Sequence, residues 1–117
     1  MAKIYVGEEK KFAIELKADG FSMDDNDFEV EVMGPKNSVK GNKKNTLDEG
    51  LRIFNEQVTP ADGEPYNVWF GILDTSKLSG TGDLKVIGTA FVPDANADDG
   101  IRKSMAVSTQ LGTLAKP

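Results

Sequence analysis

The acids near the end of the chain have the spacing that comes closest to a chemical site. Asp94, Asn96 and Asp98 occupy alternate positions, and oxygen ligands at the first, third and fifth positions are typical of an EF-hand calcium loop. Such a loop also needs glycine at the sixth position and a bidentate glutamate at the twelfth, whereas Gly100 comes one place late and Met105 fills the twelfth. We therefore predict a turn in which the side chains bond their own backbone, with no metal site; calcium binding is the alternative.

Other patterns that could support catalysis are incomplete. The chain has no cysteine and no histidine, which removes thiolate nucleophiles, the commonest general base and the usual catalytic zinc ligand. Ser76 lies beside Lys77, but neighbouring side chains on a strand diverge and no oxyanion motif accompanies them. The glycines of segment 80–82 precede a strand, and Lys85 replaces the third glycine of a phosphate-binding loop. Among the 19 acids, no two stand out as the pair of carboxylates that glycoside hydrolysis requires. We predict a protein that is not an enzyme, with no catalytic or cofactor-binding residues and no cofactor.

The length and charge of the chain limit its partners. It has 117 residues, the size of one ordinary domain, and we treat residues 1–117 as a single domain. A formal net charge of -5 disfavours both nucleic acid, which needs a basic surface, and anionic membranes. Segment 1–8 has too short an apolar run for a signal peptide, and no stretch approaches the length of a membrane span. We expect a protein made in the cytoplasm that binds neither nucleic acid nor membrane.

Alternating apolar and polar residues predict strands along most of the chain. Phe28 and Val30, for example, flank Glu29, as expected for a strand with one buried and one solvent-exposed face. Loops rich in Gly, Pro, Asp and Asn separate such segments, and strands do not alternate with helices. About seven strands are predicted, which favours an all-β antiparallel sandwich. The segments are 12–17, 28–32, the residues around 39–40, 51–56, 66–73, 84–92 and 101–108.

One hairpin can be predicted with its register. Gly34-Pro35-Lys36-Asn37 is a four-residue turn candidate, and closing it places Val32 opposite Val39 and Glu31 opposite Lys40. The lysines in and after the turn then neutralise the acids of the preceding strand and protect an exposed edge, or else they form a patch for a partner. They are Lys36, Lys40, Lys43 and Lys44.

Several other segments bear on contacts. Segment 66–73 is apolar on both faces, so we expect a central strand covered on both sides or a strand at an interface. Trp69 is interpreted as a core residue or, alternatively, as a sugar platform or assembly contact. The tail 112–117 is expected to fray or to dock on a neighbour. One helical turn is expected at 76–78, and Gly88 is expected to mark a bulge or a close backbone approach.

Three parts of the sequence resemble one family. Val92-Pro93-Asp94, followed by Asp98-Asp99-Gly100-Ile101-Arg102, has the order strand, Pro-Asp, acidic turn, Gly-hydrophobic-Arg and strand. Leu73-Asp74-Thr75-Ser76 with Gly82-Asp83-Leu84 fits the middle of the same domain, and Phe12-Ala13-Ile14-Glu15-Leu16 with Asp19-Gly20 fits its beginning. These motifs resemble small immunoglobulin-like β-sandwich domains of phage and prophage structural proteins, especially those of Bacteroides-type hosts.

The resemblance implies an immunoglobulin-like fold and a virion component of the tail, baseplate, head-fibre or decoration type. Baseplate domains of this kind anchor a longer chain with a coiled coil or fibre, whereas this sequence ends at Pro117, so we expect a free-standing part. We predict a structural protein that contacts other protein subunits, as a homo-oligomer or within a virion, in part through sheet edges. The alternative is a carbohydrate- or peptide-binding module. Its aromatic candidates are Trp69, Tyr66, Tyr5 and Phe91.

Overall fold

The computed structural model describes residues 2–44 and 49–117, and the regular structure of those ranges is almost entirely β. The predicted all-β class is confirmed. Ten strands are present there, together with a short 3-10 turn at Thr75–Lys77. The strands are β1 (Lys3–Tyr5), β2 (Glu9–Ile14), β3 (Phe28–Met33), β4 (Ser38–Asn42), β5 (Leu51–Val58), β6 (Tyr66–Asp74), β7 (Gly82–Asp83), β8 (Lys85–Pro93), β9 (Ile101–Ser108) and β10 (Thr113–Ala115).

Four strands form an antiparallel sheet in the order β4-β3-β8-β9, which we call the front sheet. The predicted turn closes its first hairpin, since the Gly34 N–H donates to the Asn37 carbonyl at 2.8 Å. Glu31 pairs with Lys40, and the neighbouring valines pair with each other, so the predicted register is confirmed. The inward residues of β3 are at most 1% exposed, whereas its glutamates lie on the outer face.

Strands β2, β6 and β5 form the back sheet, with β6 in the centre. Leu51 and Leu73 point inward from this sheet and are fully buried. Leu16, just beyond β2, packs on Gly88 of β8, where a Cβ atom would collide with the leucine side chain. Gly88 therefore marks a close approach between the two sheets, and the β8 ladder continues through it without a bulge. Side chains of both sheets form one core, which gives a sandwich-like arrangement.

The two ends of the chain form a third sheet, in the order β1-β10-β7, which we call the terminal sheet. Strand β1 pairs with β10 in parallel, and β10 pairs with β7 in antiparallel. Ile4, Leu84 and Leu114 are at most 1% exposed and join the main core. The expectation that the tail frays or docks on a neighbour is wrong, because β10 lies between two strands of its own chain and buries Leu114.

The seven predicted segments correspond to the longer strands, and the three strands of the terminal sheet were not predicted. Leu84 was expected to begin a long strand, but it lies between β7 and β8 and its side chain is fully buried. The helical turn expected at 76–78 is present one residue earlier. In the two described ranges, no helix has the length and apolar character needed to cross a membrane.

Candidate interaction surface

The backbone of β9 is open along one side, because this strand is the edge of the front sheet. Just beyond the last β8–β9 pair, the Asp94 N–H donates to the Gly100 carbonyl at 2.9 Å. Since hydrogen-bonded pairs alternate in an antiparallel ladder, the even-numbered residues of β9 direct their backbone groups toward β8. The odd-numbered residues from Ile101 to Val107 direct their N–H and C=O groups to the open side. Strand β9 thus presents a ladder edge eight residues long.

The outer face of β9 is mostly apolar, since three of its four residues are hydrophobic and the fourth is Lys103. Ile101, Met105 and Val107 are 45%, 64% and 60% exposed. On the neighbouring strand, the half-buried Ile87 pairs with Val107, and the half-buried Phe91 pairs with a lysine, so the apolar surface extends to β8. We call this surface the β9 face. It comprises Ile87, Phe91, Ile101, Lys103, Met105 and Val107.

An apolar groove lies beneath the inner side of β9. Ala106 and Ser108 point to this side and are nevertheless exposed, because they line this groove. The groove has a volume of about 340 Å³ and runs between β9 and β2, the facing edge of the back sheet. Leu16 and Val86 are among its apolar lining residues, and Glu15 is a charged one. A strand added alongside β9 would therefore meet apolar surface on both of its faces.

Strand β9 also lacks the distributed charges that protect sheet edges. Such charges, lysines above all, discourage pairing with another chain. The edge strands β2 and β4 carry them in the middle, at Lys11 and Lys40. In β9 both charged residues, Arg102 and Lys103, lie in the first half, and no charged residue follows in segment 104–115. The second half of β9 is an unprotected edge.

The loop before β9 fixes where the strand begins. The Asp94 carboxylate accepts the Asn96 N–H at 2.9 Å and pairs with the Arg102 Nε at 3.1 Å. These contacts lower the pKa of Asp94, the Asn96 hydrogen bond being the larger cause. Gly100 has a φ of +78°, a conformation that glycine adopts at little cost. The predicted turn is present, and the described ranges contain no group of three or more acids that could hold a metal ion.

The aromatic residues named as sugar-binding candidates do not converge. Trp69 packs edge-on against Phe28, with ring centroids 5.4 Å apart, and its indole N–H donates to Asp24 Oδ1 at 2.8 Å. Its ring thus packs against the core while its polar edge holds a loop. The other three candidates lie on three different sheets: Tyr5 on the terminal sheet, Tyr66 on the back sheet and Phe91 on the front sheet.

The structure instead pairs two aromatic residues that sequence reasoning did not identify. Phe54 and Phe70 stack on the outer face of the back sheet, with centroids 6.0 Å apart. The Lys11 ammonium lies 4.4 Å from the Phe70 centroid and pairs with Glu56 at 2.9 Å, while the Arg52 guanidinium lies 5.7 Å from the Phe54 centroid. Side chains of the back sheet itself therefore cover part of the apolar outer face of β6.

The serine considered as a nucleophile stabilises a turn. The Ser76 hydroxyl donates to Asp74 Oδ1 at 2.6 Å, and the Ser76 N–H donates to the same oxygen at 3.0 Å. These bonds lower the pKa of Asp74, with the hydroxyl as the larger contributor. Between them, Thr75 is fully buried. Its Oγ1 accepts the Gly7 N–H at 2.9 Å and donates to the Glu8 carbonyl at 2.7 Å, which ties the 3-10 turn to the β1–β2 turn.

Lys40 makes the contact expected of the lysines around the β3–β4 hairpin, and Lys43 makes a different structural contact. Lys40 lies 3.8 Å from Glu29 of the preceding strand. The Lys43 ammonium donates to the Asn26 carbonyl at 2.8 Å and lies 5.0 Å from the Trp69 ring centroid. The Lys40 contact supports the charge-neutralising interpretation, whereas the Lys43 contacts bind the loop before β3 to the hairpin.

Comparison with known protein families, curated proteins and solved structures finds no match for this chain. The surface at β9 is therefore interpreted from its own geometry. Sequence reasoning predicted strand 101–108 but did not identify it as an open edge. The signal was available, because Met105 and Val107 continue the alternation in a segment that carries no charge after Lys103.

Proposed function

We propose that this chain is a non-enzymatic structural module that assembles with other protein subunits by strand addition at β9. The observation that carries the proposal is the coincidence of three features at one strand: an open backbone ladder, an apolar outer face and an apolar groove beneath. In strand addition, main-chain hydrogen bonds provide affinity and pockets for alternate side chains provide specificity. The β9 face and the groove are two such surfaces, one for each face of an incoming strand.

The contact expected from this edge is reversible. Burying an exposed apolar side chain such as Met105 contributes on the order of 1–2 kcal/mol, and each net hydrogen bond adds about 1 kcal/mol. Association itself costs at least about 4 kcal/mol in lost freedom of motion. A single added strand therefore gives modest affinity, and repeated contacts in an assembly provide the rest.

The type of sandwich and the biological setting belong to the same proposal. The resemblance of segments 12–20, 73–84 and 92–102 to phage and prophage domains supports an immunoglobulin-like sandwich. It also supports a virion component of the tail, baseplate, head-fibre or decoration type, made in the host cytoplasm. Virion parts act as many identical copies, and a module that assembles through a sheet edge suits such a structure.

Amide exchange with added strand peptides tests the mechanism directly. Peptides with alternating apolar and polar residues, one of them a copy of residues 100–110, are titrated onto the protein, and exchange is followed residue by residue. We expect the amides of Ile101, Lys103, Met105 and Val107 to gain protection, because they face the open side. The even-numbered amides of β9 already bond to β8 and should change little. If neither the peptides nor high protein concentration protects the odd-numbered amides, strand addition at β9 is refuted.

The virion role needs a separate measurement. Particles are purified from an induced culture of the encoding strain and digested for mass spectrometry. We expect peptides of this chain at a copy number comparable to known structural subunits of the same particle. Detection in the soluble lysate alone, with none in the particles, would refute the virion role and leave strand addition unaffected.

A further inference from the structure

We infer that the strand added at β9 comes from a second copy of this chain, paired antiparallel about a two-fold axis at Met105. The two front sheets then join into one sheet of eight strands, four from each copy. This inference rests on the proposed function, since it names the partner of the same edge. It follows from the order of charged, apolar and small residues along β9.

The charges of β9 favour an antiparallel pair of copies. Arg102 and Lys103 stand in the first half of the strand, and the residues from Ser104 onward are uncharged. A parallel pair in register would place each cation beside its own copy, which is destabilising. An antiparallel pair places the basic half of each strand opposite the uncharged half of the other. Strand β9 is thus self-complementary in one direction only.

The same charges exclude some registers, and the length of β9 excludes others, since an axis beyond Met105 would pair Lys103 with residues past the end of the strand at Ser108. The open backbone groups belong to odd-numbered residues. The two-fold axis can therefore pass through any residue of β9, and the outer faces of both copies still lie on the same side of the joined sheet. An axis at Lys103 would set two lysines directly opposite, and an axis at Ser104 would leave them diagonal neighbours about 7–8 Å apart. An axis at Met105 pairs Lys103 with Val107 and separates the two lysines by four residues, or about 13 Å. That distance exceeds the screening length at physiological salt, which is about 8 Å.

In this register, the side chains that meet on each face of the joined sheet are compatible. On the outer face, Met105 meets its own copy, and the exposed Val107 side chains flank it, so the two β9 faces merge. On the inner face, Ser104 lies opposite Ala106, and these side chains are small enough to sit over the groove. Arg102 of one copy lies opposite Ser108 of the other.

The charged groups nearest to this contact are already paired within each copy. Arg102 lies 3.1 Å from Asp94, and Glu15 lies 2.8 Å from Lys17. The overall net charge of -5 opposes association over longer distances. We accordingly expect dimerisation to strengthen with added salt, which screens that repulsion.

Sedimentation equilibrium of the full chain measures the association. We expect a monomer–dimer equilibrium with Kd between about 1 µM and about 1 mM, stronger at high salt. Met105→Lys should abolish the dimer, because it places two like charges opposite each other on the axis. Met33→Lys is the matched control: Met33 is 38% exposed on the same sheet, two strands away, and the net charge changes equally. Equal loss in both variants would overturn the inference.

Single-cysteine variants test the register, since the natural chain has no cysteine. Hydrogen-bonded antiparallel pairs have Cα atoms about 5.5 Å apart, within the range that a disulfide spans. Met105→Cys should form a disulfide-linked dimer on mild oxidation. Lys103→Cys and Val107→Cys should each cross-link poorly alone but efficiently when mixed. Efficient self-linking of Lys103→Cys, with none at Met105→Cys, would refute the register.

Different experimental results would refute self-pairing and strand addition. A chain that stays monomeric up to about 1 mM at high salt would overturn self-pairing. If other strand peptides still protect the odd-numbered amides of β9 in that chain, strand addition stands and the partner is a different protein. If they do not, both proposals fail.

Discussion

Thr75 has a fully buried side chain and connects two turns that are distant in sequence. Its hydroxyl accepts the Gly7 N–H at 2.9 Å and donates to the Glu8 carbonyl at 2.7 Å. Replacing it with valine keeps the shape of the side chain and removes the hydroxyl. We predict that Thr75→Val destabilises the protein because one backbone group loses its partner.

The structure indicates which group that is. The hydroxyl also lies 3.2 Å from the Tyr5 carbonyl. The Glu8 carbonyl also accepts the Thr75 N–H at 3.1 Å, and the Tyr5 carbonyl accepts the Glu8 N–H at 2.9 Å, so both carbonyls keep a partner. The Gly7 N–H, bonded to the hydroxyl, is the group that loses one. An unsatisfied donor of this kind costs about 1–3 kcal/mol, and its partial exposure places the expected loss near about 1–2 kcal/mol.

Urea unfolding and amide exchange together measure this effect. A loss of that size lowers the urea midpoint by roughly 1 M for a domain of this size. Thr75→Ser is the control, because it keeps the hydroxyl and removes one buried methyl group, at a cost of about 0.8 kcal/mol. We expect the Gly7 amide to exchange faster in the valine variant and to stay protected in the serine variant. A protected Gly7 amide in Thr75→Val, with the serine variant the less stable of the two, would refute the reasoning.

Three further predictions concern glycine conformation and the loop before β9. Gly112→Ala should lower the free energy of unfolding by about 2 kcal/mol or more, because Gly112 has a φ of +148° and a Cβ atom would lie 2.6 Å from the Ala2 carbonyl oxygen. Gly100 has a φ of +78° and open space around it, so Gly100→Ala should lower the free energy of unfolding less in the same urea titration. The pKa of Asp94 is lowered in the folded state, so the stabilising contribution of this carboxylate is complete above its unfolded pKa and declines as the pH falls below about 4. The stability of Asp94→Asn should therefore depend less on pH in that window. A pH profile equal to that of the natural chain would contradict this role of Asp94. Adding calcium should leave the melting temperature unchanged, and a rise of several degrees would restore the calcium interpretation of this loop.

The parts of the fold that could be predicted from sequence are those set by local patterns. The alternation of Phe28, Val30 and Val32 with acids defines β3, and a turn of four residues fixes the register of the next strand. Neighbouring strands with a short connection have few ways to pair, so the prediction of Glu31 opposite Lys40 needed no knowledge of the rest of the chain.

The terminal sheet could not be predicted by the same reasoning. Its strands have only two or three residues, too few to show a period, and Ile4 and Leu114 pair across almost the whole sequence. The side chains that cover the outer face of β6 could not be named for a related reason. The contact of Lys11 with Phe70 depends on which strands are neighbours, and alternation alone does not give strand order.

Only part of the candidate surface could be predicted from the sequence. The alternation of Met105 and Val107 predicts a strand, but a buried inner face was the natural assumption for Ala106. The exposure of Ala106 arises because it faces the groove between β9 and β2. That groove is a property of the tertiary arrangement, which alternation along one strand does not reveal.

The parallel pairing of β1 with β10 has a consequence for synthesis. Lys3 and Thr113 are partners although about 110 residues separate them, and bringing such distant segments together costs on the order of 4 kcal/mol in chain entropy. Because translation proceeds from the N-terminus, β1 emerges from the ribosome well before β10 and cannot pair until β10 has been made. The hairpins of the front and back sheets can form while the chain is still being made, whereas Ile4 and Leu84 stay uncovered until β10 arrives. Completion of the fold therefore requires synthesis through β10, and a nascent chain stalled before residue 113 would expose part of its core to chaperones and proteases.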